Sequence, residues 1–467
     1  MPSDPPLRLL DGSRLAHNIV WNLLGSCAPM LVAVFSMPVL IRELGKERFG
    51  VLALAWALVG YASLFDIGLG RALTQLVAKK LGAGEVQDVS AVVWSSLILM
   101  LTLASLGTTV VVLISPCLVE RVLKVPEPLQ VETLHSFYLL GISLPLVTTT
   151  SGLRGLLEAY QRFGLINALR IPMGVFTFAS PLLTLPFSRS LVPMVAVLVL
   201  GRFLALVAHL VMCLQTAAGL RHGMAWHRPS AAALLSFGGW MTVSNVISPL
   251  MVTLDRFFIG ALVSITAVTY YATPFEVVTK LLIIPAAVMG VMFPAFSCSF
   301  AADPRWTAVL YARCVKYLLL LLLPTALVAI VLARNGLTLW LGDDFAQHSA
   351  RVWQWLCAGV FLNCLAQVPF ALVQGVGRPD LTAKLHALEF PCYLLALGWL
   401  VSRCGIEGAA IAWTGRAAVD ALALFALSRR FLPTDTRVAL GSLSCLLLAL
   451  LTDGSASMAR VVPCGQI

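Results

Sequence analysis

Long apolar stretches recur along almost the whole chain, and they constrain its fold more than any other feature of the sequence. Each stretch holds roughly 20 residues, enough for a helix to cross a hydrocarbon core of about 30 Å. The composition agrees, because 59% of the residues are hydrophobic, only 12% are charged and the mean hydropathy is +0.90. The sequence therefore predicts an all-α, polytopic membrane protein.

We predict about thirteen membrane spans, of which the last is short. The first six cover residues 17–41, 50–69, 91–115, 136–158, 163–185 and 191–216. The other seven cover residues 234–259, 268–296, 309–332, 353–373, 381–401, 406–427 and 438–451. The connections between these spans are too short for a catalytic or nucleotide-binding domain of the usual size.

Two Gly-Arg pairs, at 201–202 and 415–416, lie inside apolar runs and are 214 residues apart. The loops that hold Arg162 and Arg378 are separated by almost the same distance, 216 residues. This regular offset predicts an internal duplication into two six-helix lobes, related by a pseudo-twofold axis along the membrane normal. The predicted domains are a cytoplasmic N-terminal segment (1–16), an N-terminal lobe (17–219), a cytoplasmic linker (220–232), a C-terminal lobe (233–430) and an extra span, truncated or divergent, with a tail (431–467).

The basic residues do not form a nucleic-acid-binding patch, because the net charge of +10 is spread over loops and helices. With the N-terminus in the cytoplasm, the inner segments hold about thirteen Lys and Arg residues against about eight outside, which favours that orientation. The chain has no P-loop, no His-Glu-x-x-His helix and no CxxC pair among its eleven cysteines. We therefore expect neither an enzyme nor a metal or cofactor site.

Three segments carry a resemblance to a known family. They are residues 22–71 with Leu44-Gly45-Lys-Glu-Arg-Phe49-Gly50 and Phe65-Asp66-Ile-Gly68-Leu-Gly70, then Leu254-Asp255-Arg256-Phe-Phe-Ile-Gly260 followed by Tyr270-Tyr271, and finally Gly405-Ile-Glu-Gly408-Ala-Ala-Ile-Ala-Trp413. With these motifs the chain resembles the polysaccharide and O-antigen flippases of the multidrug, oligosaccharidyl-lipid and polysaccharide (MOP) exporter superfamily. The resemblance covers nearly the whole chain.

The resemblance implies a MATE-like arrangement of two six-helix lobes in the bacterial inner membrane, with up to two extra C-terminal spans. It also implies a substrate, an undecaprenyl-diphosphate-linked oligosaccharide that serves as a repeat unit of O-antigen, capsule or exopolysaccharide. Alternating access would carry this lipid-linked substrate from the cytoplasmic to the periplasmic face. Membrane lipid, H⁺ or Na⁺ as a coupling ion, and a polysaccharide polymerase are the expected partners.

Such a substrate carries a diphosphate that must avoid hydrocarbon, so its carrier needs a wet, cationic cavity. Arginine suits that role because its guanidinium binds phosphate oxygens in a bidentate geometry. The candidate cavity cations are Arg154, Arg170, Arg202, Arg256, Lys280 and Arg416. The candidate ion-pair or ion-coupling acids are Asp66, Asp255, Glu276 and Asp420.

Some of these charges have a structural alternative. An acid and a base spaced four residues apart share one face of a helix and neutralise each other there. Three such pairs occur, Arg154 with Glu158, Glu276 with Lys280, and Arg416 with Asp420. Glu276 is alternatively a carboxylate that takes up the coupling ion.

The other candidates are also open to two interpretations. Arg202 has no acid three or four residues away, so a cavity position is favoured over an interhelical structural role. Arg170 is alternatively an interfacial residue that snorkels to water, and Asp66 alternatively caps the local backbone. Asp255 and Arg256 point about 100° apart on a helix, so one of them faces the cavity and the other the lobe interior.

Three functions follow from these observations. The first is a flippase for lipid-linked oligosaccharides, favoured by the excess of intramembrane cations and by the family resemblance. The second is a cation-coupled drug antiporter of the same fold, which would need a more acidic cavity. The third is a membrane glycosyltransferase or polymerase, which would need a large extramembrane loop with catalytic acids.

Overall fold

The computed structural model describes residues 68–122, 127–222 and 226–433, together with scattered positions between 18 and 52. These ranges are helical, and no strand occurs within them. In chain order the helices are α1 (Leu69–Gly82), α2 (Val89–Cys117), α3 (Glu127–Ala159), α4 (Phe163–Thr184), α5 (Leu191–Thr216), α6 (Arg228–Leu262), α7 (Ile265–Val278), α8 (Ile283–Ala302), α9 (Pro304–Val331), α10 (Ala333–Leu341), α11 (Asp343–Gly375) and α12 (Pro379–Ser428).

Nine helical segments of the described residues are long and apolar enough to cross a membrane. They run over Val86–Glu120, Glu127–Ala159, Phe163–Thr184, Leu191–Thr216, Arg228–Leu262, Ala267–Ala302, Pro304–Val331, Asp343–Gly375 and Pro379–Phe431. They match the third to twelfth predicted spans, because the last segment contains two of them. The prediction of an all-α polytopic membrane protein is confirmed. The first, second and thirteenth predicted spans lie mostly or wholly outside the described residues.

The chain divides into two compact units. The first unit contains residues 1–242 and 290–302, and the second contains residues 243–289 and 303–467. The predicted lobe boundaries at residues 219 and 233 come before this division, which falls inside α6. The internal duplication stays a prediction.

α12 contains a sharp reversal that separates the eleventh and twelfth predicted spans. Gly405 has φ 57° and ψ −135°, a backbone conformation that residues other than glycine rarely adopt. At Gly408, a Cβ atom would collide with the carbonyl oxygen of Leu400, so the chain passes close to itself there. The Gly405-Ile-Glu-Gly408 motif is thus explained by backbone geometry, and it divides α12 into two arms.

Apolar residues fill the interior of each unit and also cover much of its outside. In the second unit Trp413 and Tyr311 are among the largest fully buried side chains. Leu320 and Leu395, by contrast, lie on spans and are 61% and 77% exposed. Exposed leucines on a spanning helix are expected of a surface that faces lipid, because hydrocarbon removes the cost of exposing them.

Candidate functional site

The second unit contains a half-open cavity of about 350 Å³. Its walls come from α6, α7, the turn that follows α7, α11 and α12, and they are formed by Val252, Arg256, Phe275, Glu276, Thr279, Leu282, Asn363 and Trp413. Five of the elements of this unit thus meet around one space. Apolar walls with a few charged groups are typical of ligand-binding cavities.

Arg256 is the cation of this cavity, and it is paired. Its Nη2 atom donates a hydrogen bond of 2.7 Å to Oε1 of Glu276. Oε2 of Glu276 lies 3.6 Å from Nζ of Lys280, so one carboxylate serves two cations. The cavity therefore carries a net positive charge from these three side chains.

Two aromatic rings hold the guanidinium groups near this cavity. The Phe275 and Trp413 rings meet edge to face, with centroids 5.6 Å apart. Arg256 lies over the Phe275 ring at 5.4 Å, and Arg416 lies over the Trp413 ring at 5.7 Å. Cation–π contacts of this kind position a guanidinium without neutralising its charge.

Asp255 and Arg256 take different directions, as their adjacent positions on one helix require. Asp255 is fully buried and accepts a hydrogen bond from the hydroxyl of Tyr271 on α7. Its other oxygen accepts a hydrogen bond of 2.8 Å from the backbone N–H of Arg256. The Asp255 carboxylate thus joins α6 to α7, whereas the Arg256 side chain lines the cavity.

Three further titratable side chains converge inside α12. His386, Glu389 and Asp420 each offer a ligand atom within 4.8 Å of the others, and Nε2 of His386 lies 3.7 Å from Oδ1 of Asp420. All three are at least nine-tenths buried. We call this set the buried triad.

The reversal at Gly405 explains why the members of the triad meet. Glu389 precedes Gly405 by 16 residues and Asp420 follows it by 15. At a rise of about 1.5 Å per residue, both positions lie at nearly the same distance from Gly405 along two antiparallel arms. His386 precedes Glu389 by three residues on the same arm, so the two side chains lie about one helical turn apart on one face.

The predicted pairing of Arg416 with Asp420 is not found in the described structure. Arg416 lies over Trp413, and its Nη1 atom is 3.9 Å from the sulfur of Met251. Asp420 instead turns toward His386 on the opposite arm of α12. The reason is tertiary, because packing of the two arms outweighs the contact that an isolated helix would offer.

The first unit holds a different group of charges, which we call the arginine cluster. Glu158 forms an ion pair with Arg154 at 3.4 Å, the spacing that the sequence predicts. Arg71 and Arg170 also attract the Glu158 carboxylate, and Arg154 and Arg170 are close enough to repel each other. Three guanidiniums thus share one carboxylate, and all three keep exposed surface.

Arg202 lies on α5, where Gly201 allows a close approach of α4. A Cβ atom at Gly201 would lie 2.5 Å from the Phe176 ring. The next residue of α4, Thr177, accepts a hydrogen bond of 3.2 Å from Arg202. No carboxylate of the described residues forms an ion pair with Arg202.

The two Gly-Arg pairs therefore differ in their surroundings. A Cβ atom at Gly415 would meet nothing within 4 Å, whereas Gly201 is packed against a ring. Asp66, the remaining candidate, lies outside the described residues. Sequence reasoning missed His386 and Glu389, although an acid three residues after a histidine inside the 381–401 span is a signal that could have identified them.

Comparison with known proteins identifies the family of this chain. Residues 15–300 match the model of the family described as "Polysaccharide biosynthesis protein". That match covers more than half of the chain. The protein belongs to this polysaccharide biosynthesis family.

A curated protein of Shigella flexneri, named "Putative O-antigen transporter", is similar to this chain. It is 32% identical over 415 residues, which cover 88% of this chain and 96% of the relative. The name of this relative is that of a transporter and not of an enzyme. The expectations of a multi-pass membrane protein and of polysaccharide flippase kinship are confirmed.

Solved structures of MATE proteins share the fold of this family member. A MATE protein in a bent conformation has a TM-score of 0.76 at 14% identity, over 95% of this chain and 100% of that chain. A MATE transporter of Vibrio cholerae has a TM-score of 0.74 at 16% identity, over 91% of this chain and 97% of that chain. At such low identity the likeness shows the MATE-like fold alone.

Proposed function

We propose that this protein moves an undecaprenyl-diphosphate-linked oligosaccharide from the cytoplasmic to the periplasmic face of the bacterial inner membrane by alternating access. The repeat unit belongs to O-antigen, capsule or exopolysaccharide, and a gradient of H⁺ or Na⁺ drives the movement. A polysaccharide polymerase uses the product outside. The name of the Shigella flexneri relative supports the class of substrate.

The three guanidinium groups that gather in the arginine cluster carry this proposal. Arg71, Arg154 and Arg170 all act on the Glu158 carboxylate. Guanidinium groups brought together in this way suit the oxygens of a diphosphate, which carries the complementary charge. Guanidinium groups that bind phosphate contribute about 1.5–3 kcal/mol for each charged hydrogen bond. With the N-terminus in the cytoplasm, the α3 end that holds Glu158 faces the cytoplasm. The cluster then lies on the side where the substrate is loaded.

Arg202, Arg256, Lys280 and Arg416 supply further positive charge in the two units. Arg202 has no acidic partner in the described structure, and Arg256 and Arg416 are held by aromatic rings. In this proposal these cations are further candidate contacts for the diphosphate, each within its own unit. The isoprenoid tail stays in lipid throughout, because its burial in hydrocarbon is favourable.

Binding of undecaprenyl diphosphate to the full-length protein in lipid nanodiscs tests the proposal. We expect the double variant Arg154→Gln/Arg170→Gln to bind it at least about ten-fold more weakly than the wild type, since it loses two charged contacts. Arg305→Gln, which changes an exposed arginine outside the cluster, is the matched control. Equal binding by the wild type and the double variant, or equal binding of undecaprenol, would contradict the proposal.

Surface polysaccharide in a strain that lacks its own flippase provides the functional readout. The wild type and Arg305→Gln should restore it, and the double variant should not, at equal amounts of protein in the membrane. The buried triad favours a second candidate, a drug/cation antiporter, since carboxylates attract cationic substrates. Efflux of a lipophilic cationic dye without restoration of surface polysaccharide would select that function.

A further inference from the structure

The buried triad is poorly satisfied for a purely structural group. Neither carboxylate oxygen of Glu389 has a hydrogen-bond partner in the described structure, and Oδ1 of Asp420 and Nδ1 of His386 also lack one. Buried polar atoms nearly always have partners, because leaving one unpaired costs the full free energy of its desolvation. Four such atoms in one place mark this set as a candidate binding site.

The charge of the surroundings indicates what kind of group this site would bind. Glu389 and Asp420 repel each other, and Arg416 is the cation that acts on Glu389. The ring of Phe370 on α11 stacks on His386 at 5.7 Å and offers no charge. With a neutral imidazole, two carboxylates and one guanidinium leave one negative charge uncompensated.

The neighbouring groups do not supply that charge. Tyr393 on α12 has a buried hydroxyl without a partner, and it is a neutral donor. Asp255 on α6 acts on Tyr393 and adds a further negative charge on that side. Tyr271 on α7 donates its hydroxyl hydrogen to Asp255 and does not reach the triad. One positive charge is therefore required within the triad itself.

We propose that His386, Glu389 and Asp420 together bind one exchangeable proton, shared between the imidazole and the two carboxyl groups. A single proton balances the charge and supplies the donor that the acceptor atoms lack. A divalent metal ion would neutralise the two carboxylates and leave the charge of Arg416 uncompensated beside it. Na⁺ is a hard cation that prefers oxygen ligands, so the imidazole is ill suited to it.

In the transport cycle, this proton site is where the ion gradient acts. The coupling role of this site rests on the proposed transport function, whereas the binding of a proton to the triad does not depend on that function. The two arms of α12 hold the three groups together only in the packed second unit. Loss of the proton leaves two carboxylates repelling each other, which favours separation of the arms.

Thermal unfolding of the full-length protein in nanodiscs tests proton binding without any substrate. A folded state that binds an additional proton loses stability as the pH rises, because the unfolded chain gives that proton up earlier. We expect the wild type to lose thermal stability between about pH 6 and about pH 9, and Glu389→Gln to lose much less, since its amide mimics the protonated acid. Glu407→Gln, which changes a half-exposed glutamate of the same helix, should behave like the wild type.

A second variant protects the test against a failure of Glu389→Gln to fold. Asp420→Asn should show the same reduced dependence on pH. Equal pH dependence in the wild type and in both variants would overturn the proposal. Stabilisation of the wild type by Na⁺ or Zn²⁺ at high pH, lost in Glu389→Gln, would also overturn it by showing a metal site.

Transport then separates this proposal from the proposed function. In proteoliposomes, Glu389→Gln should still bind undecaprenyl diphosphate while a pH gradient no longer accelerates its movement. Accelerated movement in this variant would overturn the coupling role. If the wild type shows the expected dependence of unfolding on pH but binds no undecaprenyl diphosphate, the proton site stands and the proposed substrate is wrong.

Discussion

The Arg256 guanidinium donates a 2.7 Å hydrogen bond to the Glu276 carboxylate inside the cavity of the second unit. The pair is partly exposed, with 31% and 54% of the two side chains accessible. An ion pair in such a setting contributes at most about 1 kcal/mol to stability. Glu276 therefore restrains Arg256 more than it stabilises the fold, and an anionic ligand could replace it.

Glu276→Gln should release Arg256 for an anionic ligand. We expect tighter binding of inorganic pyrophosphate, a soluble stand-in for the diphosphate, with a change of less than about 1 kcal/mol in the free energy of unfolding. Calorimetric titration of the purified protein measures the affinity. Glu407→Gln breaks the comparable Arg351–Glu407 pair, which has a distance of 3.7 Å, and should leave the affinity unchanged. Weaker binding by Glu276→Gln would show that the acid, rather than Arg256, takes part in the site.

Gly201→Ala should destabilise the first unit. The new methyl group would press on the Phe176 ring, and overpacking of this kind costs about 1–3 kcal/mol. Gly415→Ala is the matched control, because its methyl group enters open space and alanine favours the helix. Thermal unfolding in detergent distinguishes the two variants. Adding Phe176→Leu to Gly201→Ala should restore part of the loss, and an unchanged loss would show that the ring is not responsible.

Gly405→Ala should weaken the reversal inside α12. Alanine at φ 57° and ψ −135° costs about 1–3 kcal/mol of backbone strain. The buried triad depends on this reversal, so the variant should also lose the dependence of thermal unfolding on pH that we expect of the wild type. Gly398→Ala, on the arm before the reversal and with helical backbone, should retain that dependence. If the Gly405→Ala protein were as stable as the wild type, the claim that alanine is strained at this position would be wrong.

Tyr271→Phe should destabilise the second unit, because it deprives the buried Asp255 carboxylate of a hydrogen-bond donor. The substitution removes the hydroxyl that donates to Asp255 and leaves a buried acceptor without this partner. We expect a loss of about 1–3 kcal/mol in the free energy of unfolding. Tyr317→Phe changes a tyrosine that is 64% exposed, and it should have little effect. Similar losses in the two variants would mean that the Asp255 contact contributes little.

The sequence predicts the spans well because crossing a bilayer is a local property. The ten predicted spans from 91–115 to 406–427 each correspond to a helical segment of the structure. The 381–401 and 406–427 spans are separated at Gly405, where the glycine motif marks the reversal. Ion pairs within one turn, such as Arg154 with Glu158, are predictable for the same reason, since they need only helical spacing.

Charges that meet across helices could not be assigned from the sequence. Arg256 binds Glu276 on a different helix, 20 residues away, and Asp420 turns to His386 rather than to Arg416. The sequence distinguishes the two Gly-Arg pairs only by the acid near Arg416, whereas the structure shows that Gly201 packs against Phe176 and that Gly415 faces open space.

The sequence by itself determined the membrane class, the number and order of most spans, and the family resemblance. These depend on composition and on motifs of a few residues. Only the tertiary structure decided which intramembrane charges are paired and which polar atoms are left unsatisfied. The physical reason is that helical periodicity defines the faces of each span, whereas the contact between two faces depends on how whole helices pack.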